Sequence, residues 1–256
     1  MSKQKKGMPF QKCFVDADSI IYRIAVTSST VAQGKKYYDK AIEDIQWDTA
    51  SDEVAVAVKG VGNFRYDVAE DYKGQRVSDA AKAKADPNVG KRRNALTKYA
   101  WSQGHHKSDN CEADDVVSIW AQEAMEAGEH YVIAHIDKDI DMVEGWHYNF
   151  TKKKLYYIDE HEGFYKMCLQ MLTGDATDHI KGIKGIGPKK AEKLLADVPT
   201  GRLLEVVREA WKEKHPEDWH DRLEVCWNLL YMRRTWDGFK RLTIEETLEC
   251  NNSQNG

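Results

Sequence analysis

Apolar and polar positions fall along this chain in blocks whose lengths separate strands from helices. Lys12–Val15 (KCFV) is a short apolar run that ends at Asp16, as a buried strand does. Residues 19–26 follow as an apolar segment that reads as a helix start, and Asp39–Trp47 is polar with helical spacing. Glu53–Val58 (EVAVAV) is rich in valine and closed by Lys59-Gly60, the pattern of a strand. Residues 72–107 carry few large apolar groups and many charges, which predicts mobile helices rather than core. Ala113–Ala127 places Val116, Val117, Trp120, Ala121 and Ala124 at helical spacing, with Gly128 near its end. Tyr131–Ile136 (YVIAHI) is a second strong strand. Past a glycine-rich segment at 174–195 the chain reads as mostly helical to about Leu248, with Trp211, Trp219, Trp227 and Trp236 as expected packing anchors. Strands separated by helices predict an α/β fold around a largely parallel sheet.

Composition narrows the class. A chain of 256 residues, 41% hydrophobic and 31% charged, is long enough to bury a real core. No apolar run approaches membrane-spanning length, so no membrane partner is expected. The N-terminus, MSKQKKGMPF, is polar and basic and does not read as a secretory signal. The five cysteines are scattered and form no CxxC, which favours reduced thiols in a cytoplasmic protein over disulfides or a zinc site. The nine histidines show no ligand spacing, and His105-His106 reads as solvated loop. The tail NNSQNG is the one low-complexity stretch, and there is no internal repeat.

Net charge is −4, which on its face disfavours nucleic acid, but the distribution is uneven. Lys82, Lys84, Lys91, Arg92, Arg93, Lys98 and Lys107 face a single acid, Asp86, between 82 and 107. Five lysines stand against Glu192 between Lys181 and Lys193. The second patch belongs to GDATDHIKGIKGIGPKKAEKLL at 174–195. Its glycines let a backbone approach a phosphate closely, Pro188 suits a first helical position, and the helix start behind them points N–H groups at an anion. A lone glycine turn is usually only a helix connection. Here the double turn, the following Lys189 and Lys190, and the preceding Asp175 and Asp178 resemble a helix-hairpin-helix, an element that holds a DNA phosphate and often a K⁺ ion. Gly182, Gly185 and Gly187 are the expected contact points.

Acids collect at strand ends and helix starts, where an α/β sheet places ligands. Asp16 and Asp18 end the first strand; Glu112, Asp114 and Asp115 open a helix; Asp137 and Asp139 follow YVIAHI; Asp175 and Asp178 precede the hairpin. Each pair alone could cap a helix or open a turn. Together they would repel one another unless divalent cations neutralise them, and an all-oxygen set suits Mg²⁺ or Mn²⁺.

At this point the chain resembles the flap endonuclease (5′-nuclease) family, of the phage 5′–3′ exonuclease type. The matching pieces are FVDADSIIYR at 14–23, NFRYDVAEDYKGQR at 63–76, CEADD at 111–115, HIDKDID at 135–141 and GDATDHIKGIKGIG at 174–187, in family order. The resemblance implies a PIN-like/5′-nuclease fold with a nuclease core at 10–170, a helical arch at about 72–107, and a helix-hairpin-helix with a C-terminal helical region at 171–248 between flexible ends, 1–9 and 249–256. It implies two-metal hydrolysis of DNA, or of RNA paired to DNA, at 5′ ends, flaps or nicks, in phage replication in the host cytoplasm, with replication proteins as partners. Asp16, Glu112, Asp114 and Asp115 would serve one metal, and Asp137, Asp139, Asp175 and Asp178 would complete the site. Asp16 and Asp115 would be catalytic through that metal, with Lys73 and Arg76 reaching the scissile phosphate. Tyr72 would stack on a terminal base, and Lys91, Arg92 and Arg93 would line the arch. One departure stands out: where the family carries an acid, this chain has Val58, Lys59 and Gly60, so that Asp18 substitutes for it, one metal binds more weakly, or Lys59 contacts a phosphate. A PIN-like ribonuclease and a catalytically weakened, structure-specific DNA-binding protein are the alternative readings.

Overall fold

The computed structural model describes residues 9–74, 86 and 88–252. Its centre is a six-stranded sheet formed by β1 (Lys12–Asp16), β2 (Glu53–Lys59), β3 (His106–Ser108), β4 (Tyr131–His135), β5 (Gly145–Asn149) and β6 (Lys154–Ile158), in the order β3-β2-β1-β4-β5-β6. All pairings are parallel except β5 with β6. The inner strands are covered on both faces, which is why KCFV and YVIAHI read as unbroken apolar runs instead of alternating ones. Cys13, Val15, Val56, Val58, Val132 and Ala134 face one cluster, shared with Ile20, Ile21 and Ile24 of α1 (Asp18–Thr27), Tyr38 and Ile45 of α2 (Val31–Thr49) and Leu96 of the helix at 88–102. Phe14, Ala57 and Ile133 face the other, closed by the helix at 113–126.

The polar stretch Asp39–Trp47 lies inside α2, which starts on Thr30, its hydroxyl accepting the Gln33 N–H at 3.1 Å. A four-residue turn, α3 (Arg65–Val68), leads into the region expected to be mobile. There the structure differs from that expectation. Residues 88–102 form α4 (Asn88–Ser102), and Leu96 and Ala100 are fully buried against α1 and α2. A few well-placed apolar side chains suffice for a helix that needs to cover only one stripe. Lys82 and Lys84 lie outside the described residues.

The strong helix at 113–126, α5 (Ala113–Glu126), is followed by β4 and a 3-10 turn, Lys138–Met142. Strands β5 and β6 lie where the sequence predicts no element, and β3 corrects both the helical reading of 72–107 at its end and the reading of His105-His106 as solvated loop. His105 Nδ1 lies 2.7 Å from the Tyr38 hydroxyl, and the His106 ring packs edge-on against Trp120. After α6 (Glu160–Thr173) come the two-residue strands β7 (Gly174–Asp175) and β8 (Ile180–Lys181), then α7 (Pro188–Leu195), α8 (Thr200–Lys214), α9 (Trp219–Leu230) and α10 (Ile244–Asn252). The helices around the hairpin share a third cluster with Trp211, 2% exposed, and Trp227, 0% exposed; Trp219 packs at its edge, while Trp236, 41% exposed, does not anchor the core. Cys13, Cys111, Cys168 and Cys226 are free and buried. Among the described residues no helix is long and apolar enough to cross a membrane.

Candidate active site

The chain leaves β1 toward β2 and β3 on one side and returns to β4 on the other, so the strand order reverses at β1. Ligands of open α/β sheets bind beyond the strand ends at such a point. Asp16 is the last residue of β1, and Asp137 and Asp139 follow β4, its parallel neighbour. The acids of CEADD and of GDATD reach the same region from α5 and the hairpin. Burial pushes Asp16 up to about 8, with Asp18, Asp137 and Glu112 adding to the rise, so these four carboxylates sense one another. Burial pushes Asp114 well above its ordinary range as well, followed by the charges of Glu112 and Asp115.

Asp18 occupies an informative place. Its Oδ1 accepts the Lys59 N–H at 2.8 Å, which brings a carboxylate from the first turn of α1 to the end of β2, the position where the family pattern has an acid and this chain has none. Burial raises its pKa, against the opposing pull of the Lys59 N–H and Arg93. Arg93 is exposed and within electrostatic reach of the site, and Lys91 is exposed on the same helix. Arg92 is 6% exposed, donating to the Ala25 carbonyl at 2.8 Å and to Asp86 at 2.8 Å. It ties α4 to α1, and its expected DNA contact is corrected to a structural one.

Two more expectations change. Asp115 is fully buried and forms a two-pronged pair with Arg65, at 2.6 and 2.8 Å, while also accepting the N–H groups of Arg233 and Glu112, each at 3.1 Å. Burial would raise its pKa, but Arg65 outweighs it and holds the carboxylate ionised. Both of its oxygens are committed, so this acid supports the helix start instead of offering a ligand position. Tyr72 is 3% exposed with its hydroxyl donated to Glu112 Oε2 at 2.9 Å, and its ring packs edge-on against Tyr66, so the ring is not presented for stacking on a base.

Lysines bridge the acids. The Lys73 ammonium pairs with Glu112 and lies 3.5 Å from Asp178 Oδ2, while its own N–H donates to the Asp178 carbonyl at 3.0 Å. Burial would raise the Glu112 pKa, but Lys73 and Arg65 lower it further than burial lifts it. On the other side, Lys138 Nζ lies 3.9 Å from Asp139 Oδ1 and 3.6 Å from Asp175 Oδ2. Gln170 of α6 donates to Asp139 at 2.8 Å and Asp175 at 3.5 Å. Lys138, Gln170 and Arg65 are participants that the sequence reading missed. Arg65 stood in the quoted NFRYD segment; Gln170 had no signal, since nothing in the sequence says which side of α6 faces Asp139. Arg76 lies outside the described residues.

In its chemistry the donor set suits a divalent cation. It is all oxygen, several of its members are pushed toward protonation by burial and by one another, and Gln170 Oε1 is buried beside Asp139 and Asp175 without a hydrogen-bond partner. Asp137, an exposed residue, caps the 3-10 turn by accepting the Asp139 N–H at 2.9 Å; Asp175 accepts the N–H of Thr177 at 2.7 Å.

The hairpin splits into two kinds of glycine. A Cβ on Gly182 would lie 2.2 Å from the Thr173 carbonyl carbon and 2.3 Å from the Gly174 nitrogen, so Gly182 serves backbone packing, a correction to its expected phosphate contact. Gly185, at φ +86°, and Gly187, the N-cap of α7, have open space at the Cβ position. Lys189 and Lys190 are exposed in the first turn of α7.

Outside this cluster, His135 and His147 are 1% and 0% exposed and meet at 2.8 Å (Nε2 to Nδ1), beside Asp141, Tyr156 and Lys166. Burial lowers each imidazole to about 4. The sequence shows no ligand spacing among the nine histidines; the pairing of β4 with β5 is what brings these two rings together.

No family model matches the chain. A curated DNA polymerase I from Rhizobium leguminosarum is 32% identical over 143 residues, 52% of this chain and 14% of that protein's length. A bacteriophage T5 flap endonuclease, solved as a pseudo-enzyme-product complex with DNA and metal ions, matches with a TM-score of 0.60 at 17% identity, covering 94% of this chain and 99% of the other. The T5 5′-exonuclease with bound zinc gives a TM-score of 0.61 at 17% identity, covering 93% and 98%. The chain therefore has the fold of the bacteriophage T5 5′-exonuclease and flap endonuclease, the fold to which its motifs pointed.

Proposed function

We propose that this chain is a divalent-metal-dependent 5′-nuclease that hydrolyses phosphodiester bonds of DNA, and of RNA in RNA–DNA hybrids, at or near 5′ ends and flaps. The observation that carries the reading is the meeting of acids from four separate motifs at the β1/β4 switch point, within one site that also takes in Lys73 and borders the hairpin. Asp16, Asp18, Glu112 and Asp114 would hold one ion, and Asp137, Asp139, Asp175 and Asp178 another, with Mg²⁺ or Mn²⁺ as the suited metals. Bound there, such ions supply an activated water and charge stabilisation for the leaving oxygen. Lys73 would place its charge against the phosphoryl oxygens, and Arg76 takes the same role by resemblance. The open N–H groups around Gly185 and Gly187, with Lys189 and Lys190, would hold duplex backbone without reading sequence, and the turn carbonyls would accept K⁺.

The rival reading, a binding protein that has lost catalysis, draws on the absent acid at the end of β2. The Asp18 carboxylate on the Lys59 N–H speaks for retained chemistry, because it returns a ligand to that strand end. The test is cleavage of 5′-labelled flap, nicked duplex and RNA–DNA hybrid substrates with Mg²⁺, with Mn²⁺ and with EDTA. Metal-dependent release of short 5′ products is expected. Tight flap binding with no cleavage in either metal would hand the case to the binding protein, and cleavage of unpaired RNA alone to a PIN-like ribonuclease.

A further inference from the structure

The buried histidine pair poses a problem of proton accounting. His135 Nδ1 lies 2.6 Å from the Asp137 carbonyl and His147 Nε2 lies 2.8 Å from the Val143 carbonyl. A carbonyl only accepts, so each of these nitrogens carries the ring's hydrogen. In neutral rings the two remaining nitrogens, His135 Nε2 and His147 Nδ1, are then both bare acceptors, and they face each other at 2.8 Å. Two lone pairs do not approach so closely without something positive between them. Asp141 Oδ1 lies 3.7 Å from His135 Nε2, and the Tyr156 hydroxyl, 2.6 Å from that carboxylate oxygen, is 3.4 Å from the same nitrogen.

We propose that His135 Nε2, His147 Nδ1 and Asp141 Oδ1 form a second metal centre, nitrogen-rich and suited to Zn²⁺ or a similar transition-metal ion, separate from the all-oxygen site. Three features support it. The three donor atoms lie within 4.8 Å of one another. Ligands at about 2.0–2.1 Å from a tetrahedral zinc stand roughly 3.3 Å apart, a spacing that the 2.8 and 3.7 Å separations bracket. Each imidazole also has its other nitrogen fixed by a backbone carbonyl, the arrangement that orients metal-binding histidines. The centre would brace the start of the segment carrying Asp137 and Asp139, because His135 grips the Asp137 carbonyl. Lys166 opposes it: its ammonium lies 3.1 Å from Asp141 Oδ2 and adds positive charge.

The inference is independent of the nuclease reading and is tested without activity. Metal-stripped protein is titrated with Co²⁺, whose visible absorption is intense in a tetrahedral nitrogen-containing site and faint among six oxygens. One equivalent is expected to give strong bands that Zn²⁺ abolishes. The bands should vanish in His147→Asn and in Asp141→Asn, each checked for folding by circular dichroism, and persist in Asp178→Asn. Lys166→Gln should tighten Co²⁺ binding severalfold by removing the opposing charge. Absence of strong bands in the unaltered protein, as when the two rings merely share a proton, overturns the proposal. So do bands that survive in folded His147→Asn or disappear in Asp178→Asn.

Discussion

Asp16 combines burial with three neighbouring carboxylates, and its pKa of about 8 against an ordinary 3.8 makes it a proton trap in the absence of a cation. The sign follows directly. The folded state holds this proton more tightly than the unfolded chain does, so the contribution to stability is full below 3.8 and is lost as pH rises through about 8. In EDTA the thermal midpoint should therefore fall as pH is raised across that window, and Mg²⁺ should flatten the fall; a midpoint indifferent to Mg²⁺ at the alkaline end counts against a cation at Asp16. On the proposed activity, Asp139→Ala and Asp178→Ala should each lower turnover by two or more orders of magnitude with little change in the circular dichroism spectrum. Unchanged cleavage in both would sink the site. These acids were legible in the sequence because aspartates at strand ends and helix starts are visible in one dimension. The roles of Asp115 and Tyr72 were not, because their partners, Arg65 and Glu112, lie 50 and 40 residues away.

At the level of elements, the hairpin separates glycines that pack from glycines that stay open. Gly182→Ala should destabilise the fold by about 1–3 kcal/mol, since the new methyl would overlap the end of α6. Gly187→Ala, which meets no neighbour, should leave the denaturant midpoint nearly unmoved. Lys189→Ala should weaken binding to duplex of any sequence and reduce the slope of log affinity against log salt by about 1, as measured by fluorescence anisotropy; an unaltered slope would remove this helix start from the interface. Strands β1, β2 and β4 were readable because valine-rich runs bounded by turn residues announce themselves. Strand β3 has three residues and β5 mixes Trp146, His147 and Tyr148 with polar neighbours, so neither carries a periodic signal long enough to detect. Helix α4 reads as mobile in the sequence because its buried stripe is narrow.

Across the whole molecule, Arg65 joins distant parts of the chain. Besides Asp115 it donates to the carbonyls of Leu229 at 3.0 Å and Tyr231 at 3.1 Å, locking the end of α9 to the start of α5. Arg65→Met would leave Asp115 charged, buried and unpaired, a loss of about 3–5 kcal/mol, and should lower the midpoint of a single cooperative unfolding transition read by tryptophan fluorescence. A negligible shift would mean that the pair contributes little to the tie. The same contact explains why the α/β architecture could be read ahead of the structure while its long-range fastening could not: periodicity reports what each segment buries, but not which distant segment buries it.

The two lysines that lie across the acids, Lys73 between Glu112 and Asp178 and Lys138 between Asp139 and Asp175, have a consequence for exchange. An ammonium already in contact with these oxygens would compete with any divalent ion for them, setting a ceiling on affinity and keeping such ions replaceable from solution. Lys73→Met should lift that ceiling, with tighter Mn²⁺ binding by calorimetry alongside slower cleavage. On the proposed metal chemistry, a site built this way would trade retention of its ions for speed in reloading them.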